Sequence, residues 1–345
     1  MHRVLPVFCF LLKILSAPFL FAEVAGYPKQ VHKVDYLSSA DQTKQPALFY
    51  TPKIENKPVP LLVALHTWSN GYNQAGGEVQ YAKWCIEAGW CFIHPHFRGP
   101  NYAPEAMGSD LVVKDILSSI DYAKSQVEID VTRIYCIGVS GGGHASLLIA
   151  GRAPEIWAGV SAWCGISDIT KWHQECRGTK FKRYATHIEK ALQGAPDSSP
   201  EHLAAARHRS PVNWLKNARE VPLDINHGVH DGRTGSVPFT HSFDAWNHIV
   251  PAAHEIPECK VREFYNSREF PGSNPTTDPL LGSQQPLFRE THHNTRLTIF
   301  EGGHEIIHHA ALNWLSQQEK GKPVVWNVSK PANYLKQQSS TESGK

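Results

Sequence analysis

Short apolar or β-branched runs alternate with longer stretches of helical spacing from about residue 31 to residue 318, the pattern of a mostly parallel sheet flanked by helices. The predicted strands are VHKVDYL (31–37), PALFYTP (46–52), PLLVALH (60–66), WCFIHP (90–95), RIYCIGV (133–139), WAGVSAW (157–163), VPLDINH (221–227) and RLTIFE (296–301). The first two read as an antiparallel hairpin at one edge of the sheet. Helices are expected at about 78–88, 109–126, 142–151, 237–249 and 304–318. The second of these carries apolar residues at 112, 113, 116, 117 and 120, one face of a helix that packs on a sheet.

Two segments break the alternation. Residues 168–215 have little strand signal and many charges and histidines, and read as a helical, cap-like excursion over the C-terminal edge of the strands. Residues 266–295, rich in Pro, Ser, Thr and Asn, read as a long loop, which in a compact domain tends to be functional or disordered. The expected organisation is one domain over 30–320, followed by a polar, mobile tail over 321–345. The opening MHRVLPVFCFLLKILSAPFLFAEVAG has a basic start, an apolar run broken by Lys13 and small residues at its end, which reads as a signal peptide over 1–25 and predicts export to a periplasm or the outside. Its longest uncharged run falls short of the ~20 residues that cross a bilayer, so no stable membrane span is expected.

Charge narrows the partners. Lys plus Arg is 34 against 32 for Asp plus Glu, without a basic run, so the footprint of a nucleic-acid binder is missing and a neutral or weakly charged ligand is expected. If Cys9 leaves with the leader, six cysteines remain, which fits an oxidising compartment and leaves fifteen pairings open. None forms a close pair with zinc-ligand spacing, so no cysteine-based metal site is expected.

The strand at 133–139 runs into GVSGGGHASLLIA, a G-x-S-x-G placed between strand and helix around Ser140. A sharp strand-to-helix turn forces an uncommon serine backbone, so Gly138 and Gly142 must be small, and the hydroxyl is presented at a helix N-terminus. A serine nucleophile needs a base and an orienting acid, in the chain order Ser, acid, His. Asp231 in NHGVHDG and His304 in IFEGGHE both follow strands, as Ser140 does, and so fall on the edge where open parallel sheets bind ligands. Asp231 also fits an ordinary Asp-Gly turn, and Asp168 in GISDIT is the rival acid. Gly141 supplies one oxyanion amide, and the loop LHTWSNG should supply the other from Thr67 or Trp68.

FEGGHEIIHHA also contains His304, Glu305 and His308 as H-E-x-x-H, which on a helix is a zinc-peptidase signature. The Gly302-Gly303 pair puts His304 at the helix start, and no well-placed third ligand follows, so the motif reads as a chance product of a chain with 20 histidines; no metal or cofactor is expected. Arg98 and His230 are candidate contacts for a polar substrate group. Glu305 is a further candidate contact facing the pocket, the alternative being a purely electrostatic role at the helix N-terminus. Trp163 and Trp172 could stack on a sugar or fill an acyl pocket, or simply pack in the core.

GVSGGGHAS, SPVNWLKNAREVPLDINHGVHDG, TIFEGGHE and HPHFRGPNY together resemble the catalytic domain of prolyl-oligopeptidase-like α/β-hydrolases, which include acetyl xylan esterase-like enzymes. The resemblance spans most of residues 60–316. It implies the α/β-hydrolase fold with Ser140 as nucleophile, Asp231 as acid and His304 as base. The β-propeller that gates the oligopeptidases is not expected here, and residues 168–215 and 266–295 read as unlike a peptidase lid. The expected function is therefore that of a secreted serine esterase acting on small-molecule or polysaccharide esters. A serine peptidase of the same family, and a non-catalytic carbohydrate-binding protein on a hydrolase scaffold, are the alternatives.

Overall fold

A computed structural model describes residues 24–54, 57–272 and 277–328. The leader read over 1–25 and the end of the tail fall almost wholly outside the described residues.

Among the described residues the strands β1 (His32–Leu37), β2 (Lys44–Tyr50), β3 (Val59–Leu65), β4 (Cys91–Pro95), β5 (Ile129–Val139), β6 (Gly159–Trp163), β7 (Leu223–Gly228), β8 (Pro286–His292) and β9 (Thr295–Phe300) form one sheet in the order β1-β2-β4-β3-β5-β6-β7-β9-β8. From β4 to β9 neighbouring strands run parallel; β1, β2 and β8 add antiparallel edges. The helices are α1 (Glu78–Ala88), α2 (Asp110–Gln126), α3 (Gly141–Arg152), α4 (Ile169–Cys176), α5 (Lys182–Leu192), α6 (Pro200–His208), α7 (Thr240–Ile249), α8 (Glu258–Ser267) and α9 (His308–Ser316).

The parallel strands are apolar throughout because both faces are covered. Leu61, Val63 and Leu65 of β3 enter the core beneath α2 and α3, while Leu62 and Ala64 enter the core beneath α1 and α9. Ile134 and Cys136 divide from Tyr135 and Ile137 in the same way along β5. Helix α3 is buried on nearly every side, which explains its glycines and small residues. Helices α4, α5 and α6 carry a third, smaller core of Ile169, Trp172, Ile188 and Leu192 that also takes in Trp68. The excursion over 168–215 is thus helical, as expected.

Three expectations need correction. The loop read over 266–295 holds the end of α8, a short 3-10 turn at Pro279–Leu281 and the edge strand β8, paired with β9 through Phe288 and Ile299. Its few inward apolar residues and polar outer face hid the strand, as is usual at an edge. The last helix begins at His308 rather than His304. The tail read from residue 321 is docked at its start, where Val325 N–H donates to Gln318 Oε1 (3.1 Å) and Trp326 stacks on Trp314.

All six cysteines of the described residues are free thiols, five of them buried. No described helix is long and apolar enough to cross a membrane.

Several histidines lie in the core. Burial lowers the pKa of His144 to about 4, against an ordinary 6.5, and lowers that of His94 to about 3. As pH falls the unfolded chain therefore takes up these protons first, so their contribution is intact above about pH 6.5 and drains away towards pH 4. The urea midpoint is expected to fall through that window, by on the order of 3 kcal/mol of stability for a fully buried ring. A midpoint flat from pH 7 to 4 would show that these rings are not held neutral.

Candidate active site

Ser140 stands between β5 and α3 with φ 60° and ψ −119°, a backbone conformation that a serine adopts only under constraint. Its N–H donates to Trp163 O (2.9 Å) on the neighbouring strand. A Cβ on Gly138 would lie 2.4 Å from the Gly142 backbone, and one on Gly142 would lie 2.2 Å from Leu65 O. The two flanking glycines are therefore required by backbone packing on both sides of the turn.

The loop after β3 lies against the same turn. A Cβ on Gly141 would meet Trp68 N at 2.3 Å, so the Gly141 and Trp68 backbones are immediate neighbours. Thr67 N–H already donates to Gln74 Oε1 (3.1 Å), which leaves the Trp68 amide as the partner for Gly141. Trp68 is itself fixed from behind, where Asn101 N–H donates to its carbonyl (2.9 Å). The FRGPNY segment thus positions this loop.

Asp231 is fully buried after β7 and accepts from four donors: His304 Nδ1 at 2.5 Å, His227 Nε2 at 3.0 Å, and the amides of Gly232 (2.9 Å) and Val237 (3.2 Å). Burial pushes its carboxyl upward, but the hydrogen bonds from His227 and His304 outweigh it and hold the group well below the usual carboxylate range. His227 Nε2 faces two acceptors, Asp231 Oδ2 and Val237 O, so it carries the proton and Nδ1 accepts from the Ser242 hydroxyl (2.8 Å). Sequence reasoning passed over His227 as a strand residue, although its spacing of four from Asp231 was visible.

Ser140 and His304 line one cleft of about 520 Å³, together with Thr67, Trp68, Glu305 and His308. The rival acid Asp168 is instead the N-cap of α4, accepting from the Thr170 and Lys171 amides. His304 sits in a turn four residues before the helix starts, so H-E-x-x-H does not present two imidazoles on one helical face. Cys164, Asp231 and His304 each bring a potential ligand atom within 4.8 Å of the others. They do not suit a metal, because Asp231 is already saturated by donors and burial pushes the Cys164 thiol well up.

The candidate contacts divide. Glu305 lines the cleft and accepts from Gly303 N–H. Arg98 does not line it: its guanidinium forks onto Asp41 (2.8 and 2.9 Å) and meets buried Asp115 (2.6 Å), tying the β1–β2 hairpin to α2. His230 is turned to Glu301 (2.6 Å) in an exposed pair. Trp163 is core, with Nε1 on Ser161 Oγ and its ring against Phe300. Trp172 is buried behind the cleft wall, edge-on to Trp68 at 4.7 Å and beside Tyr184. Unforeseen cleft residues are Asn70, Gln74, Glu78, Arg183, Tyr184 and His308. Arg183 and Tyr184 come from the helical excursion, where a charged stretch gives no sign of which side chains face inward.

A mostly parallel sheet with a strained serine at its central strand, in one cleft with a histidine held by a buried aspartate, defines a serine-type α/β-hydrolase. The sequence pattern of the prolyl oligopeptidase family matches residues 81–254, half of the chain, and the chain belongs to that family. It is 23% identical to the acylamino-acid-releasing enzyme 2 of Oryza sativa subsp. japonica over 55% of this chain and 25% of that one. It is also 23% identical to the feruloyl esterase B of Thermothelomyces thermophilus, over 34% of this chain and 43% of that one. The match therefore spans from a quarter to under half of these relatives' length. Among solved structures, that of a puromycin hydrolase superposes with a TM-score of 0.59 at 15% identity, covering 90% of this chain and 42% of that one, which supports the fold.

The close approach of Gly142 to Leu65 O makes Gly142→Ala a test of the turn. The substitution is expected to cost about 3 kcal/mol of stability and to abolish labelling of Ser140 by a fluorophosphonate probe. Full labelling of a stable Gly142→Ala protein would show that the turn is not constrained in this way.

Proposed function

We propose that this serine hydrolase is an exported esterase that cleaves carboxylic esters, acylated carbohydrates among them, through an acyl-enzyme. The observation that carries the reaction is the 2.5 Å contact of His304 Nδ1 with Asp231 Oδ2, which leaves the other ring nitrogen to act in the cleft that Ser140 lines. In this reading His304 Nε2 takes the Ser140 proton as Oγ bonds to the ester carbonyl carbon. The carbonyl electron pair moves to oxygen, where the Gly141 and Trp68 amides stabilise the oxyanion. Collapse breaks the bond to the alcohol, which leaves with the proton held by His304. Water then repeats the sequence on the acyl-enzyme, with His304 again as base, and restores Ser140. Asp231 remains ionised throughout and stabilises the imidazolium.

The ester preference is supported by the similarity to a feruloyl esterase and by a cleft walled largely by polar side chains. The leader pattern supports export. A peptidase is the second reading, favoured by the longer stretch shared with the acylamino-acid-releasing enzyme and by the carboxylates of Glu78 and Glu305 in the cleft.

Initial rates with p-nitrophenyl acetate and with alanyl and prolyl p-nitroanilides separate these readings. The ester is expected to turn over, the anilides at least about a hundredfold more slowly, and Ser140→Ala is expected to lower ester hydrolysis by about 10,000-fold. EDTA is expected to leave the rate unchanged. Comparable anilide turnover would make the protein a peptidase, and loss of activity to EDTA in place of Ser140→Ala would overturn the serine mechanism.

A further inference from the structure

The helical excursion brings a cation to the catalytic cleft. Arg183, in the first turn of α5, lines the same cleft as Ser140 and His304 and is exposed. Among the described residues it forms no ion pair. Its guanidinium is held by Tyr184, with Cζ 4.7 Å from the ring centroid and Nη2 donating to the hydroxyl (2.7 Å). Tyr184 also lines the cleft and rests on buried Trp172 (5.1 Å), so the arm is braced on the small core of the cap. One N–H of the guanidinium is spent on Tyr184 and the rest of its fork is open. Arg177 and Arg262, also exposed, instead meet Asp197 and Glu258 at 2.9 and 2.5 Å.

The placement does not serve the helix. Lys182 and Arg183 stand in the first turn of α5, which has no acidic residue, so both oppose the positive end of the helix dipole. Lys180 lies just before them, and the sequence from Arg177 to Ile188 contains no Asp or Glu. In a chain with 34 basic against 32 acidic residues, this is a local excess of positive charge beside the cleft. The chemistry of the group selects its ligand. A guanidinium is permanently charged, and its planar fork matches the two oxygens of a carboxylate. Glu305 also lines the cleft and forms no ion pair among the described residues, so a doubly charged phosphate would meet a repulsion that a monoanion largely avoids.

We propose that Arg183 binds a carboxylate of the substrate, which makes that substrate an acidic ester, a uronate-bearing acylated carbohydrate among them. The proposal rests on Ser140 acting as the nucleophile in the same cleft. A site that forks onto a carboxylate discriminates against the neutral amide of the same shape, which accepts through one oxygen and brings no charge.

Two ester pairs test this, one on each side of the scissile bond. In 4-acetoxybenzoate against 4-acetoxybenzamide the charge is on the alcohol part, and in monoethyl adipate against its monoamide it is on the acyl part. Comparing the anion-to-amide ratio of kcat/KM between proteins cancels the intrinsic reactivity of each ester. In at least one pair that ratio is expected to fall by about tenfold or more in Arg183→Gln, mainly through KM, and to recover in part in Arg183→Lys. Lys182→Gln removes the same charge from a residue that does not line the cleft, and is expected to change the ratio by less than about twofold. Calorimetric titration of Ser140→Ala protein reads the preference without turnover, and decides alone if neither pair is hydrolysed. The carboxylate ester of one pair is expected to bind about tenfold tighter than its amide, and the difference to vanish when Arg183→Gln is added. A preference that Arg183→Gln leaves unchanged in both pairs overturns the assignment. So does an equal loss in Lys182→Gln, which would make the preference a property of the overall field. Ester turnover that survives Ser140→Ala, with the Arg183-dependent preference intact, overturns the reaction assigned to Ser140 and supports the carboxylate contact.

Discussion

Everything in the cleft is referred to the backbone of Ser140, which keeps its φ of 60° only because its surroundings permit nothing else. Such a conformation costs of order 1–3 kcal/mol and persists where neighbouring structure over-determines it. Here the constraint comes from three strands at once: β5 delivers the residue, β6 accepts its N–H through Trp163 O, and β3 presses Leu65 O against Gly142. These are the central strands of the sheet, and the connection leaves β3 towards β4 on one side and β5 follows on the other. A crevice opens where the order reverses, so the fold provides both the strain and the space in front of it.

The second support is electrostatic. Asp231 is buried without a cation other than the imidazolium that His304 can become, and two amides and His227 hold its remaining lone pairs. With the carboxylate fixed by four donors, His304 is the partner that retains freedom, being a quarter exposed. His227 spends its only proton on Asp231 and Val237, and that proton is fixed in place by the Ser242 hydroxyl on the opposite nitrogen. A neutral ring in this position lends the carboxylate a donor without adding a charge to compete with His304.

Much of this was legible in the chain because it depends on near neighbours in sequence. Alternation of apolar runs gives the parallel strands; strand-then-Gly patterns place Ser140, Asp231 and His304 at one edge. What was not legible depends on partners far away. Arg98 looks like a substrate clamp until Asp41, 57 residues distant, takes both arms of its guanidinium. His230 is claimed by Glu301, 71 residues on. Strand β8 offers too few apolar positions to show a period, and the last helix, expected from residue 304, starts only at His308.

The division of labour in the cleft follows from the same geometry. The groups that would do chemistry hang from strand ends and are locked by the packing of the sheet, whereas Glu78, Tyr184 and His308 stand on the first turns of α1, α5 and α9. Helix starts can exchange side chains without disturbing the backbone contacts around Ser140, so substrate choice is free to vary over a fixed reaction centre. Trp68 is the exception: its amide faces Gly141 while its ring packs on Trp172 and so on the helical excursion. A change in that excursion large enough to shift Trp172 would move the Trp68 amide as well, which ties the shape of the cap to the backbone beside Ser140.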